Sequence, residues 1–401
     1  MSPLLRDTLQ DWAGEARVPH DLADRALRRR AWWKPVGVGM LVVGLVAAVA
    51  VVVTGQGIPE VTVRPANGVT LPARPSPAPT DVRSDTENSP PAKFIAAGNM
   101  AMSAYYTIQR EQIAEDRQRI RYIWSLYDPR IDGYERTSWA WVDVAPGLQV
   151  AAVLDGDLIS KRLGILDMNT RQILKWFDLE HPVASVSWSP DGKKVLATAY
   201  SEYPDVEAGS GKHTSPAGTS PRTGYYIVDV ESGEVGYHAL PPLKDDVGDG
   251  RPFNMNSRQD IGWSVDGAML WAPTGMANGP KRLFYSLDGK ERAAPADQRY
   301  AEFSGISAIS PNGRLVLGPS GLPTAITDRE TGEIVGRQNV MQLHAWADDD
   351  NVLAIGCAGS CENEFNGALV LVSVDGKRMT QLGAYFDNRK EGAWGWVLTP
   401  R

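Results

Sequence analysis

The feature that most restricts this chain is a turn that keeps returning at the end of an apolar strand. SVSWSPDGKKVLATA around Asp191, IGWSVDGAMLWAP around Asp266, AISPNGRLVLG around Asn312 and HAWADDDNVLAIG around Asp349 carry it, with a degenerate VDVAPGLQVAAV around Pro146. Proline presets φ and glycine accepts a positive φ, so a Pro-Asp-Gly type of turn between β-branched and apolar residues predicts a hairpin. A second element falls between copies of the first: LYDPRIDGY at Asp128, ILDMNTRQI at Asp167, IVDVESGEV at Asp229, YSLDGKE at Asp288, ITDRETGEI at Asp328 and VSVDGKRM at Asp375. Each runs an apolar strand into an Asp-led turn and out along another strand. Two alternating turn types at spacings of roughly 40 to 60 residues describe a repeated four-stranded unit, which is the period of propeller blades.

The copies do not match in number. Six Asp-led turns stand against five of the first kind, so one unit lacks an innermost strand when the domain is read from Lys93. The last residues, Gly392 to Pro400 (GAWGWVLTP), form an apolar strand with no hairpin partner of its own. It is expected to complete the first blade and close the ring, which removes free sheet edges. The fold class read from the sequence is therefore all-β: a six-bladed β-propeller with four-stranded blades over residues 93–401, preceded by one transmembrane α-helix and a Pro-rich linker. Plentiful Gly (39), Pro (28) and Trp (13) beside scarce Phe (7) favour many turns over long helices. The alternating strands and WSPDGK-type turns resemble the TolB-like and WD-repeat propeller families over roughly three quarters of the chain, without a full WD dipeptide at the strand ends. The whole layout is similar to membrane-anchored propeller proteins of high-GC actinobacteria. This resemblance implies a binding or scaffold module with no particular ligand.

The N-terminal part reads differently. Val36 to Val53 (VGVGMLVVGLVAAVAVVV) carries no charge. Its roughly eighteen residues make a helix of about 27 Å, close to a hydrocarbon core, so residues 36–54 are expected to cross a membrane. Arg25, Arg28, Arg29, Arg30 and Lys34 flank it on the N-terminal side with Trp32 and Trp33. The positive-inside rule then places the N-terminus in the cytoplasm and the C-terminal domain outside, with Arg28, Arg29, Arg30, Trp32, Trp33 and Lys34 at the membrane interface. A cleaved signal peptide competes, but the basic region is long and valines stand where a cleavage site would be. Gly44 and Ala48 have the small-xxx-small spacing that lets helices approach. Residues 1–35 read as two short helices broken at Val18–Pro19, a tail that either docks a cytoplasmic protein or only orients the span. Residues 55–92, rich in Pro, Ser and Thr, are expected to be an extended extracytoplasmic linker.

Charge and motifs narrow the function. A net charge of -7 with dispersed basic residues argues against nucleic-acid binding. The two cysteines, Cys357 and Cys361 in GCAGSCENEF, suit a short disulfide outside the cytoplasm; a metal site would need other soft ligands, and the nearest histidine in sequence is His344. Trp188, Trp263 and Trp346 hold matching positions before the first kind of turn, where Ile309 and Val144 stand in other repeats, so inter-blade core is expected there over an aromatic ligand platform. Asp245, Asp246 and Asp249 lie in a Gly-rich loop without the Glu a calcium loop needs. Ser201 to Thr223 is a polar insertion, read either as a recognition loop or as disorder. No nucleophile elbow, H-E-x-x-H, P-loop or G-x-G-x-x-G occurs, and His20, His181, His213, His238 and His344 are scattered singly. The expected role is a non-enzymatic, membrane-anchored module without cofactor or metal, partnered by the lipid bilayer and by a protein, peptide or glycan. A transmembrane regulator whose tail holds a transcription factor, in the manner of anti-sigma proteins, is the alternative; a propeller enzyme with residues gathered from several blades is the third.

Overall fold

The computed structural model describes residues 63–64, 68–76, 78–210, 213–216, 220–241, 258–273, 282–295, 307–318, 324–358, 366–387 and 393–401. The tail and the apolar stretch, with Arg28, Arg29, Arg30, Trp32, Trp33 and Lys34, lie outside the described residues. No helix among the described residues is long and apolar enough to cross a membrane. Every regular element among them is a strand, and the strands fall into five antiparallel sheets.

The first sheet is built on a long hairpin, β3 (Met100–Ala114) and β4 (Arg117–Asp128), preceded by β2 (Ala96–Ala97) and followed by β5 (Gly133–Arg136). The last strand of the chain, β27 (Trp394–Pro400), pairs with β3 from Trp394↔Thr107 to Pro400↔Met100. The order β27-β3-β4-β5 adds the C-terminal strand to the first meander, the pairing with the first unit expected of GAWGWVLTP. Beyond the blade the hairpin continues upward, and there β4 pairs with β11 (Val206–Ser210), which pairs with β12 (His213–Pro216). The insertion read as loop or disorder thus contributes two strands.

An eight-stranded second sheet follows in the order β1-β14-β13-β10-β9-β8-β7-β6. Its strands are β1 (Val63–Arg64), β6 (Trp141–Val144), β7 (Val150–Leu154), β8 (Ser160–Asp167), β9 (Ile173–Trp188), β10 (Lys194–Tyr200), β13 (Arg222–Asp229) and β14 (Val235–Ala239). The sixteen residues of β9 pair with β8 through their first half and with β10 through their second. The third sheet is β15 (Gly262–Trp263), β16 (Met269–Pro273), β17 (Arg282–Ser286) and β18 (Glu291–Arg292); the fourth is β19 (Leu315–Leu317), β20 (Thr324–Asp328) and β21 (Ile334–Gln338). In the fifth, β22 (Val340–Trp346), β23 (Asn351–Gly356), β24 (Asn366–Ser373) and β25 (Met379–Gln381) form the meander, and β26 (Phe386–Asp387) also pairs with β24.

Four of the five sheets carry a complete four-stranded antiparallel meander, and their faces pack on one another in succession. Leu353 and Leu369 of the fifth sheet meet Met100, Met102 and Trp394 of the first. Trp124 and Leu126 of the first meet Val142, Val144 and Val153 of the second. Leu196 and Tyr225 of the second meet Leu270, Ala272 and Tyr285 of the third, and Leu315 and Ile326 of the fourth meet Leu343, Trp346 and Val370 of the fifth. This face-to-face succession of small twisted sheets is a propeller-like arrangement. Each fully buried Leu, Val or Met in such a contact contributes about 1.5–3 kcal/mol, so the sheets hold one another with no staple required.

Candidate axial binding site

The innermost strands of the meanders converge on the site, and local turn chemistry sets their ends. In SWSPDGK the Ser189 hydroxyl donates to Asp191 Oδ1 at 2.6 Å and accepts the Lys194 N–H at 2.9 Å, while Gly192 takes φ +71°. Ser264 does the same with Asp266 and Met269 N–H (2.6 and 2.9 Å), and Ser310 with Asn312 and Leu315 N–H (2.8 and 2.9 Å). A side chain that satisfies both its own turn and the returning strand leaves little freedom in the hairpin. Each of β9, β15 and the segment before β19 therefore runs toward the same end of the arrangement, the turn end.

One step before the turn stand the repeated tryptophans, and they clamp neighbouring units. The Trp188 indole N–H donates to the Asp143 carbonyl at 3.2 Å, Trp263 to Ser187 at 3.1 Å, and Trp346 to Ala308 at 3.2 Å. Asp143, Ser187 and Ala308 each precede the matching position of the preceding unit. The three tryptophans do bridge neighbouring repeats, but Trp188 and Trp263 also line the cavity described next, and the acceptor carbonyl is what the sequence did not reveal.

Between these strands lies a cavity of about 550 Å³. Trp188, Trp263, Trp271 and Trp396 give it aromatic walls, and among the described residues Asp143, Asp260, Arg282 and His344 are its titratable groups. Trp271 reaches it from β16 because Gly262, its cross-strand partner, is bare: a Cβ there would stand 2.3 Å from the indole. The Arg282 guanidinium covers the Trp271 ring at 3.9 Å. Asp143 accepts the Trp188 backbone N–H at 2.7 Å, bridging β6 to β9. Burial raises its carboxyl to about 7, partly offset by that N–H and by the one of Val144. His344, whose Nε2 is buried with no hydrogen-bond partner, touches the Trp396 edge, and burial lowers its pKa to about 4.

The opposite end, where the inner strands begin, is occupied by Arg258. Its Nε donates to Asp205 Oδ1 at 2.8 Å, its Nη1 to Asp260 Oδ2 at 3.1 Å and to the Ala184 carbonyl at 3.1 Å, and its guanidinium lies 4.2 Å from the Trp141 ring. Tyr200 donates to Asp260 at 2.8 Å, and Tyr122 to Asp205 at 3.2 Å. Burial opposes the charge of Arg258, but Asp260 and Asp205 more than offset it and hold the guanidinium protonated. The cluster joins the long hairpin (Tyr122), the insertion (Asp205) and three sheet segments. Nothing in the sequence flagged it, because its members are remote from one another and form no motif.

Other sequence candidates fall elsewhere. Cys357 follows β23 with its sulfur 3.8 Å from the Tyr385 hydroxyl. No cysteine among the described residues is free, and Cys361 lies outside them. Asp245, Asp246 and Asp249 also lie outside. His181 stacks on Tyr237 and His238 on Tyr225, away from the cavity lining. Among the described residues no group of three or more His, Cys, Asp or Glu could hold a metal ion.

No family model matches the chain, and no curated protein does. Solved structures it is similar to include TolB from Acinetobacter baumannii, at 15% identity over 73% of this chain and 66% of that one, with a TM-score of 0.35. The chain thus spans just under two thirds of that TolB chain. Hydrazine synthase of Kuenenia stuttgartiensis matches at 11% identity over 62% of this chain and 68% of that one (TM-score 0.31). A functionally unknown protein from Desulfotomaculum acetoxidans matches at 10% over 74% and 90% (TM-score 0.34).

Proposed function

We propose that this chain is a non-enzymatic, membrane-anchored extracytoplasmic propeller that binds a protein, peptide or glycan through its axial cavity. The observation that carries the reading is the cavity itself: indoles and a carboxylate from different sheets meet at the axis, the usual composition of a preformed recognition site. Three of its polar groups support binding over catalysis. The Ser189 and Ser264 hydroxyls are engaged in locking turns and the Asp143 carboxylate in bridging strands, so none is poised as a nucleophile beside a base.

Six blades suit the pairing. The eight-stranded sheet divides into two blades that share β9, and the three-stranded sheet gains an inner strand through the Ile309↔Val316 bridge. With the other three sheets this makes six, the number of Asp-led turns. The anchor rests on the uncharged run from Val36 to Val53 and its basic flank. A Cys357–Cys361 bridge fits the extracytoplasmic side; finding two free thiols in the native chain would remove it.

In intact cells a tag on residue 1 should resist external protease, while a cysteine placed at the exposed Glu333 should label from outside. The reverse pattern sinks the topology. For the site, Ser187→Phe fills the cavity, and the full-length variant should lose the ligands that the wild-type chain retains from peptide and glycan arrays. Retention unchanged by the filling, with equal melting temperatures, takes the cavity out of the proposal.

A further inference from the structure

We infer that the axial cavity takes an organic cation on a short apolar stem, an ammonium or guanidinium group, with Asp143 as its counter-charge and the tryptophan walls around its stem. The inference rests on the binding role proposed above and names the chemistry of what enters.

Three observations converge on it. First, Asp143 is a carboxylate at the cavity with no cation paired to it among the described residues. Asp260, the other acid among the described lining residues, already faces Arg258 at 3.1 Å. An uncompensated carboxylate in such surroundings is costly, and its pKa, raised to about 7 by burial, reports that cost. A cation delivered from outside would relieve it. Second, Trp188, Trp263, Trp271 and Trp396 line the same space. An indole face attracts a cation, and one wall shows the geometry: the Arg282 guanidinium on Trp271 at 3.9 Å. Third, the buried His344 Nε2 has no hydrogen-bond partner among the described residues, so a polar ligand hydrogen would find an acceptor there besides the carboxylate. The protein already uses this recipe at the strand-start end, where Arg258 is held by two carboxylates over Trp141.

Charge linkage follows. Among the described residues, Asp143, Asp260, Arg282 and His344 are the titratable groups facing the cavity. His344 stays neutral above its pKa, lowered to about 4, while the Asp143 carboxyl is raised to about 7, so Asp143 changes charge between pH 6 and 8. A cation binds its ionised form, and affinity should rise with pH across that interval.

The test uses the full-length chain with n-butylammonium and n-butylguanidinium as probes, against n-butanol and butyrate at equal ionic strength, read by saturation-transfer NMR. At least a tenfold preference for the cations is expected, stronger at pH 8 than at pH 6. Asp143→Asn should lose that preference and its pH dependence while melting no lower than wild type. N-acetyl-lysinamide and the peptide Gly-Lys-Gly separate the sources: tighter binding than butylammonium assigns the cation to a polypeptide, equal binding to free amines. Equal binding of butanol or butyrate, or a cation preference that survives Asp143→Asn, overturns the cationic assignment and leaves the cavity as a site of other specificity. Should none of the probes saturate, and Ser187→Phe leave array retention unchanged, the binding role falls with it.

Discussion

Asp143 and His344 oppose each other in how they tie stability to pH. The Asp143 carboxyl titrates near 7 in the folded chain and near roughly 3.9 when unfolded. Between those values the folded form holds a proton that the unfolded chain has released, so stability falls as pH rises through this interval. His344 titrates near 4 when folded and near roughly 6.5 when unfolded. Here the unfolded chain holds the extra proton, so stability falls as pH drops through that interval. The two slopes largely cancel between pH 4 and 6.5. Removing either group should expose the other: Asp143→Asn leaves a chain that gains stability from pH 4 to 6.5, and His344→Phe leaves one that loses it. Melting temperatures of the full-length proteins across pH 4 to 7 decide the matter; parallel profiles for the two variants would refute both environments. Neither residue could be singled out beforehand for this role. A lone Asp in WVDV and a lone His in LHAW become special only because inner strands from different sheets enclose them.

Among the elements, the turns were the most legible, and the reason is local. A Ser hydroxyl, an Asp carboxylate and a positive-φ glycine all act within six consecutive residues, as from Ser189 to Lys194, so the pattern that makes the turn is written in one place. The same chemistry at Ser286 and Ser373 shows that it specifies a hairpin without saying which pair of strands is joined. What stayed hidden depends on partners far apart in sequence: β11 on the tip of β4, β9 shared by two meanders, and the Arg258 cluster. The C-terminal strand is intermediate, since its apolar run was visible and its want of a local partner implied a remote one. It supplies the inner strand of the first meander, with a buried Ser103–Thr399 hydroxyl contact at 2.7 Å. Deleting Gly392–Arg401 should abolish cooperative unfolding, because β3 would be left a bare edge facing the axis. Thr399→Val is the milder probe: it leaves the Ser103 hydroxyl only its longer bond to the Val397 carbonyl at 3.4 Å and should cost about 1 kcal/mol in urea unfolding. A deletion that melts like the wild type would mean that the first meander does not depend on this strand.

At the scale of the whole molecule, the Pro-rich segment expected as an extended linker lies, over its described part, against the sheets. Val63 and Arg64 pair with β14, Val69 N–H donates to the Val230 carbonyl at 2.9 Å, and Arg74 reaches the Asp191 carbonyl in the turn after β9. Farther on, Asp81 meets Arg401 at 2.8 Å, Arg83 and Ala96 exchange backbone hydrogen bonds, and Asp85 N–H donates to the Leu382 carbonyl at 2.7 Å. The Asp85 carboxylate, only 2% exposed, accepts the N–H groups of Ala92 and Lys93. The segment thus touches the second sheet, the C-terminus, the fifth sheet and the first. Proline suits an irregular strap of this kind, because a residue without an N–H leaves no donor stranded where the ladder cannot reach. Composition alone reads as an extended linker; only the partners distinguish strap from stalk. Trypsin can tell them apart. Arg64 and Arg74 are each followed by proline, which blocks cleavage, so Arg83–Ser84 is the susceptible bond of the segment. In a free stalk it would be cut within the first minutes of limited digestion. Held in a bridge to Ala96, it should survive in the native full-length chain and yield only once the propeller unfolds, with cleavage at Arg83 tracking loss of the folded signal as urea is raised. Early cutting there, with the sheets still intact, would mean that the strap is not fastened to the propeller.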